Sequence, residues 1–123
     1  MKTKSFSARS RAESFRFALS GLASLMKYEH NARIHLVAAI IAVIAGLVLR
    51  IDLTEWCFLV LVIGLVFFAE LLNTSLEVLC DAVDTDWNER IKKAKDFSAA
   101  AVLISALVSV VIGGIIFLPK IIG

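Results

Sequence analysis

The sequence has few of the residues that mark common soluble folds: one proline, two cysteines and six glycines among 123 residues. Neither GxxxxGK(S/T) nor GxGxxG occurs, so any bound nucleotide must be held by scattered side chains. Cys57 and Cys80 lie in one apolar stretch, which as a helix separates them by about 35 Å, far beyond the reach of a disulfide. The formal net charge is only +2, and without a basic stripe it does not indicate a nucleic-acid partner.

What the sequence has in excess is apolar residues, which make up 59% of the chain and give a mean hydropathy of +0.86. An ordinary soluble domain contains about 45–50%. Charged residues nevertheless account for 20%, which does not fit a simple membrane anchor. The length supports a single domain over residues 1–123 and excludes a two-domain enzyme.

Three long apolar stretches predict an all-α membrane protein with three transmembrane helices, at residues 34–50, 56–80 and 97–118. Each is close to the roughly 20 residues that a helix needs to cross a bilayer core. We expect the third helix to end before Pro119, because proline cannot continue a helix. Small residues repeat every four positions in the first and third stretches, which favours close helix packing between protomers or within one.

Residues 1–33 form a region of a different kind. Their apolar side chains recur at helical spacing, and the region also carries scattered basic residues; the apolar positions are Phe15, Leu19, Leu22 and Met26. We predict an amphipathic helix on the membrane surface, with a soluble arm that packs on a partner as the alternative.

The distribution of Lys and Arg predicts the orientation in the membrane. Seven precede the first apolar stretch and four lie between the second and third, whereas only Arg50 and Lys120 lie on the other side. Cytoplasmic loops carry an excess of Lys and Arg. The N-terminus is therefore predicted to be cytoplasmic.

Four polar residues of the second stretch share one helix face at about 100° per residue: Glu70, Asn73, Glu77 and Asp81. A charged side chain near the bilayer centre costs roughly 2.5–3.5 kcal/mol on insertion scales, so it must face a cavity, a cation or the protein interior. A structural network between helices is the alternative. We predict a functional site in the cytoplasmic half of this helix.

Acidic residues that can hold Mg²⁺ beside lysines that can hold phosphates are the parts that phosphoryl transfer requires. Glu29 and Glu77 suit the metal if the fold brings them together. Glu70 lies about 10 Å deeper than Glu77 and suits a general base. His30 and His35 are interpreted as interfacial hydrogen-bonding residues.

Three segments resemble those of a known protein family: ELLNTSLE from Glu70 to Glu77, KDFSAAAVLI from Lys95, and EHNARIHL from Glu29. The chain resembles the prokaryotic diacylglycerol kinase family, which includes undecaprenol kinases. The resemblance implies a small homotrimeric enzyme of the bacterial inner membrane, with active sites between protomers. Such an enzyme uses Mg²⁺ and ATP to phosphorylate a lipid hydroxyl, and the expected acceptor is either diacylglycerol or undecaprenol.

Roles follow from the same resemblance, residue by residue. Glu70 matches the catalytic base, and Glu29 and Glu77 match metal-binding carboxylates that also contact ATP. The remaining positions match residues around the nucleotide phosphates and the reacting hydroxyl: Asn73, Lys95 and Asp96, with Asp81 near the nucleotide.

A different class of function for the same acids is an oligomeric ion or proton pathway through Glu70 and Glu77. Against it, no ionisable residue continues the path between Trp56 and Ala69.

Overall fold

A computed structural model describes residues 7–84 and 86–123, and these residues form four α-helices. In chain order they are α1 (Ala8–Tyr28), α2 (His30–Leu49), α3 (Leu53–Val83) and α4 (Glu89–Ile122). The last three are long and apolar enough to cross a membrane. This confirms the predicted fold class, an all-α protein with an N-terminal helix followed by three membrane-spanning helices. Residues 1–6 of the predicted surface region lie outside the described residues.

The first helix begins at a capped end and leaves most of its apolar side chains exposed. Ser7 accepts a hydrogen bond from the Ser10 backbone N–H at 3.0 Å, which satisfies one of the free donors at a helix start. Phe15 and Phe17 are exposed, whereas Leu25 near the other end is buried. An amphipathic helix with an exposed apolar face suits a membrane surface.

A single residue separates α1 from α2. Glu29 has an extended backbone (φ −100°, ψ 113°), and its N–H still bonds to the Leu25 carbonyl at 2.9 Å. The surface region and the first span were predicted to meet between residues 33 and 34, but the chain changes direction four residues earlier. Periodicity did not reveal the break because both sides of it are helical.

The turn between α2 and α3 is short and well capped. Arg50 adopts the left-handed conformation (φ 55°, ψ 55°) as the C-cap of α2. Asp52 accepts a hydrogen bond from the Glu55 N–H at 2.8 Å, and Glu55 accepts one from the Asp52 N–H at 3.1 Å. This reciprocal capping box fixes the start of α3.

The principal packing is an antiparallel hairpin of α3 and α4, completed on one side by α2. Its buried apolar cluster lies near the α2–α3 turn and consists of Ile51, Leu59, Val62 and Ile116. Most other large apolar side chains are exposed, which suits helices whose outer faces contact lipid.

One sequence expectation is wrong: α4 does not end before Pro119 but continues to Ile122. Proline lacks the N–H for one helical bond, yet the Pro119 carbonyl accepts the Gly123 N–H at 3.1 Å and closes a further turn. Near a helix end the loss of one hydrogen bond leaves the rest of the turn intact.

Candidate active site

Glu70 is the largest fully buried side chain among the described residues, with 2% of its surface exposed. It lies on the α3 face that packs toward α2 and α4. His35 of α2 approaches it, with Nε2 of His35 3.2 Å from Oε1 of Glu70. The two atoms are within ion-pair distance, and Oε1 has no other hydrogen-bond donor in the described part of the chain. A buried carboxylate can accept a proton from a substrate hydroxyl.

Sequence reasoning assigned His35 only an interfacial role, and the structure changes that interpretation. His35 lies in the second turn of α2, and its side chain is 23% exposed. The number of residues between His35 and Glu70 does not predict that they meet, because their contact depends on how α2 crosses α3.

One helical turn beyond Glu70, a hydrogen-bonded relay joins α3 to α4. Nδ2 of Asn73 donates to Oε1 of Glu77 at 3.3 Å, and the Ser98 hydroxyl of α4 donates to Oδ1 of Asn73 at 2.6 Å. Ser98 is buried. The relay therefore fixes a predicted metal ligand from a neighbouring helix, and Ser98 was not among the predicted site residues.

Near the α3–α4 connection, the predicted nucleotide residues belong to two separate ion pairs. Nζ of Lys95 lies 2.7 Å from Oδ1 of Asp81, which joins the two helices. Asp96 instead pairs with Lys92 of its own helix, also at 2.7 Å. The structure thus brings Lys95 and Asp81 together, while Asp96 lies one turn from its lysine partner on the exposed surface of α4.

A polar groove of about 480 Å³ lies beside these pairs. Its lining combines the acidic and basic residues of the two pairs with the exposed indole of Trp87. The indole provides a stacking surface for a base. Two lysines supply positive charge for phosphates, in a lining that also holds four aspartates.

A second, apolar groove of about 430 Å³ runs between α2, α3 and α4, from His35 to Phe117. The small residues that repeat in the first and third apolar stretches line it: Ala38 and Ala42 of α2, and Ser109 and Gly113 of α4. Parts of both stripes therefore face the same groove within one protomer, whereas Ala101 and Ser105 of α4 line a separate groove between α3 and α4. His35 forms its polar end and links it to Glu70.

Glu29, at the α1–α2 break, and Glu77 both lie within electrostatic range of Glu70. No group of three or more His, Cys, Asp or Glu side chains is arranged to hold a metal by itself in residues 7–84 and 86–123. Mg²⁺ is usually held by one or two carboxylates together with substrate phosphates, so this donor set fits that ion.

A second polar atom in this region makes no hydrogen bond to any described residue. It is Oγ1 of Thr74, which is buried. Thr74 lies beside the Glu70 face of α3.

Residues 16–117 match the family model described as prokaryotic diacylglycerol kinase. The chain belongs to this family. The match covers most of the sequence, including every predicted site residue. The family is one of lipid kinases, so the protein is a membrane-embedded kinase that uses ATP as co-substrate. The alternative of an ion or proton pathway is not supported.

Relatives named for two lipid substrates are similar to the chain. It is 37% identical over 108 residues to the undecaprenol kinase of Bacillus subtilis, covering 88% of each chain. It is 36% identical over 107 residues to a diacylglycerol kinase of Synechocystis, covering 86% of this chain and 61% of the relative. The diacylglycerol kinase of Escherichia coli is 33% identical over 75 residues, covering 61% of this chain and 62% of the relative.

Proposed function

We propose that the single domain of residues 1–123 transfers the γ-phosphate of ATP to the hydroxyl of a membrane lipid alcohol, with undecaprenol and diacylglycerol as the two candidate acceptors. The observation that carries this proposal is the buried Glu70 carboxylate, which lies 3.2 Å from His35 where His35 lines one end of an apolar groove. A lipid in the groove presents its hydroxyl to Glu70 while its chain stays in apolar surroundings.

In this proposal Glu70 is the general base. Its carboxylate accepts the proton as the lipid oxygen attacks the γ-phosphorus, the new O–P bond forms, and the bond from phosphorus to the bridging oxygen of ADP breaks. His35 holds the carboxylate through the 3.2 Å ion-pair contact. Positioned proton transfer of this kind typically contributes 10²–10⁴-fold to a rate, on the order of the effect expected here.

The nucleotide occupies the polar groove near the α3–α4 connection. Lys95 has three N–H donors, of which one bonds to Asp81, so the others remain for phosphate oxygens. Asp96 holds Lys92 at the edge of the groove. Trp87 offers a flat surface for the base.

Glu29 and Glu77 would hold Mg²⁺ together with the phosphates, and Asn73 positions Glu77 for this task. When bound, the ion neutralises charge on the transferring phosphoryl group. Support comes from the electrostatic proximity of both carboxylates to Glu70.

The proposed assembly is a homotrimer in the bacterial inner membrane, with the N-terminus in the cytoplasm. The excess of Lys and Arg before α2 and between α3 and α4 supports this orientation. The exposed apolar faces of the three long helices leave ample surface for neighbouring copies.

The test is phosphate transfer by the purified full-length protein in lipid–detergent micelles that contain either undecaprenol or diacylglycerol. Labelled ATP with Mg²⁺ should place label in the extracted lipid, and the ratio of the two initial rates identifies the acceptor. Omission of lipid and addition of EDTA are the controls. If neither lipid gains label above these controls, the proposed function is wrong.

A further inference from the structure

The Asn73 side chain lies between two helices with both ends of its amide occupied. Its Nδ2 donates to Glu77 at 3.3 Å, and its Oδ1 accepts from the Ser98 hydroxyl at 2.6 Å. Ser98 is only 6% exposed.

The chemistry of the three groups permits one arrangement. An ionised Glu77 carboxylate only accepts hydrogen bonds, so the amide must present its NH₂ to it. The amide oxygen then faces Ser98, which must donate its single proton. The alternative acceptor of Ser98, the Lys95 carbonyl, is more distant at 3.2 Å.

Loss of the Ser98 hydroxyl changes both ends of the amide. The half-buried Asn73 oxygen then loses its donor, which is unfavourable. A flipped amide would place that oxygen against the carboxylate of Glu77, where two acceptors repel. Either result leaves the Glu77 side chain without its fixed orientation.

We propose that Ser98 is a positioning residue that orients Glu77 through Asn73 and so sets the affinity of the site for a divalent cation. The inference rests on the proposed function, in which Glu77 holds Mg²⁺. Ser98 does not touch the reacting atoms; it acts from α4 on a ligand carried by α3.

The same helix offers a matched control. Ser105 is also buried, at 2% exposure, but its hydroxyl donates to the Val102 carbonyl of its own helix at 2.8 Å. Ser105→Ala therefore removes a buried serine hydroxyl from α4 without removing a hydrogen bond to α3.

The test measures binding of Mn²⁺, a spectroscopic substitute for Mg²⁺, by electron paramagnetic resonance. It uses the full-length protein with a non-hydrolysable ATP analogue, so no turnover is needed. Ser98→Ala should raise the apparent Kd for Mn²⁺ by about 10-fold, as is typical when a group that supports a metal ligand is removed. Ser105→Ala should bind Mn²⁺ like the wild type.

Two further variants separate positioning from packing. Ser98→Thr keeps the hydroxyl, and its extra methyl group has room in the adjoining groove of about 660 Å³, so Mn²⁺ affinity should be restored. Asn73→Ala combined with Ser98→Ala should bind no more weakly than Asn73→Ala alone, because Ser98 acts only through Asn73.

Wild-type affinity in Ser98→Ala, or an equal loss in Ser105→Ala, would overturn the role of Ser98. A wild-type protein that binds no Mn²⁺ would overturn it as well. If Ser98 controls Mn²⁺ affinity but the wild type phosphorylates no lipid, the proposed kinase reaction fails while the positioning role stands.

Discussion

The α3–α4 hairpin is joined by different contacts at its two ends. At the connection end, polar side chains bridge the helices: Lys95 to Asp81 at 2.7 Å and Ser98 to Asn73 at 2.6 Å. At the turn end, near the α2–α3 turn, a buried apolar cluster that includes Leu59 joins them.

This division separates chemistry from packing along one pair of helices. Polar groups inside a membrane span are costly and are kept where they have a task. Apolar contacts carry no such cost, but within lipid they stabilise mainly through close van der Waals fit. Substitutions at the connection end should therefore change turnover, and substitutions at the turn end should change stability.

The largest expected effect is on turnover, from Glu70→Gln. The amide keeps the size of the side chain but cannot accept the proton, so the rate of lipid phosphorylation should fall by about 10²–10⁴-fold. Nucleotide binding and the unfolding temperature should stay close to wild type. Initial rates with labelled ATP, and binding of a nucleotide analogue, measure the two quantities.

The matched control for this prediction is Glu55→Gln at the turn end. Glutamine can still serve in the capping box, so this variant should retain turnover. Equal rates for the two variants would show that Glu70 is not the base.

The next effect is on stability, from Gly46→Leu. A Cβ atom at Gly46 would meet Cη2 of Trp56 at 2.8 Å and Cδ1 of Ile51 at 3.1 Å, so the turn end must shift to admit a side chain. Overpacking of this kind costs about 1–3 kcal/mol. Thermal unfolding in detergent should show a lower midpoint, while the rate per folded molecule stays near wild type.

Gly64→Leu is the companion variant, since nothing lies within 4 Å of a Cβ atom at Gly64. It should lower the midpoint less than Gly46→Leu does. A reversed order would mean that the contact of Trp56 with α2 does not limit packing at the turn end.

The smallest effect is expected from Lys120→Ala, which removes the one ion pair between α3 and α4 at the turn end among the described residues. Nζ of Lys120 lies 3.2 Å from Oε1 of Glu55, with side-chain exposures of 30% and 22%. Ion pairs with access to solvent contribute about 0–1 kcal/mol and are weakened by salt. The difference in unfolding midpoint should be small at low salt and vanish at high salt; a loss that persists in high salt would contradict this.

The sequence predicted the helices, and the shared face of Glu70, Asn73 and Glu77, because both depend on local periodicity. The apolar stretches predicted three long helices, and the spacing of Glu70, Asn73 and Glu77 placed them on one face. Helical geometry relates residues three or four apart whatever the rest of the chain does.

The contacts between helices could not be predicted in the same way. His35 meets Glu70, and Ser98 meets Asn73, only because of how the helices cross and which rotamers they admit. A serine within an alanine-rich segment gives no sign of its partner in sequence. At Pro119 a local rule was applied too strongly. Proline was expected to end the helix, but its carbonyl still accepts a hydrogen bond that closes a further turn.

Glu29, in an extended conformation, is the only residue that connects α1 and α2. Its two backbone torsions set both the angle at which α1 leaves the bundle and the direction in which the Glu29 side chain projects. A tilt of α1 that is absorbed at this joint therefore turns the carboxylate with it. The angle of α1 and the direction of the Glu29 carboxylate are in this way set together.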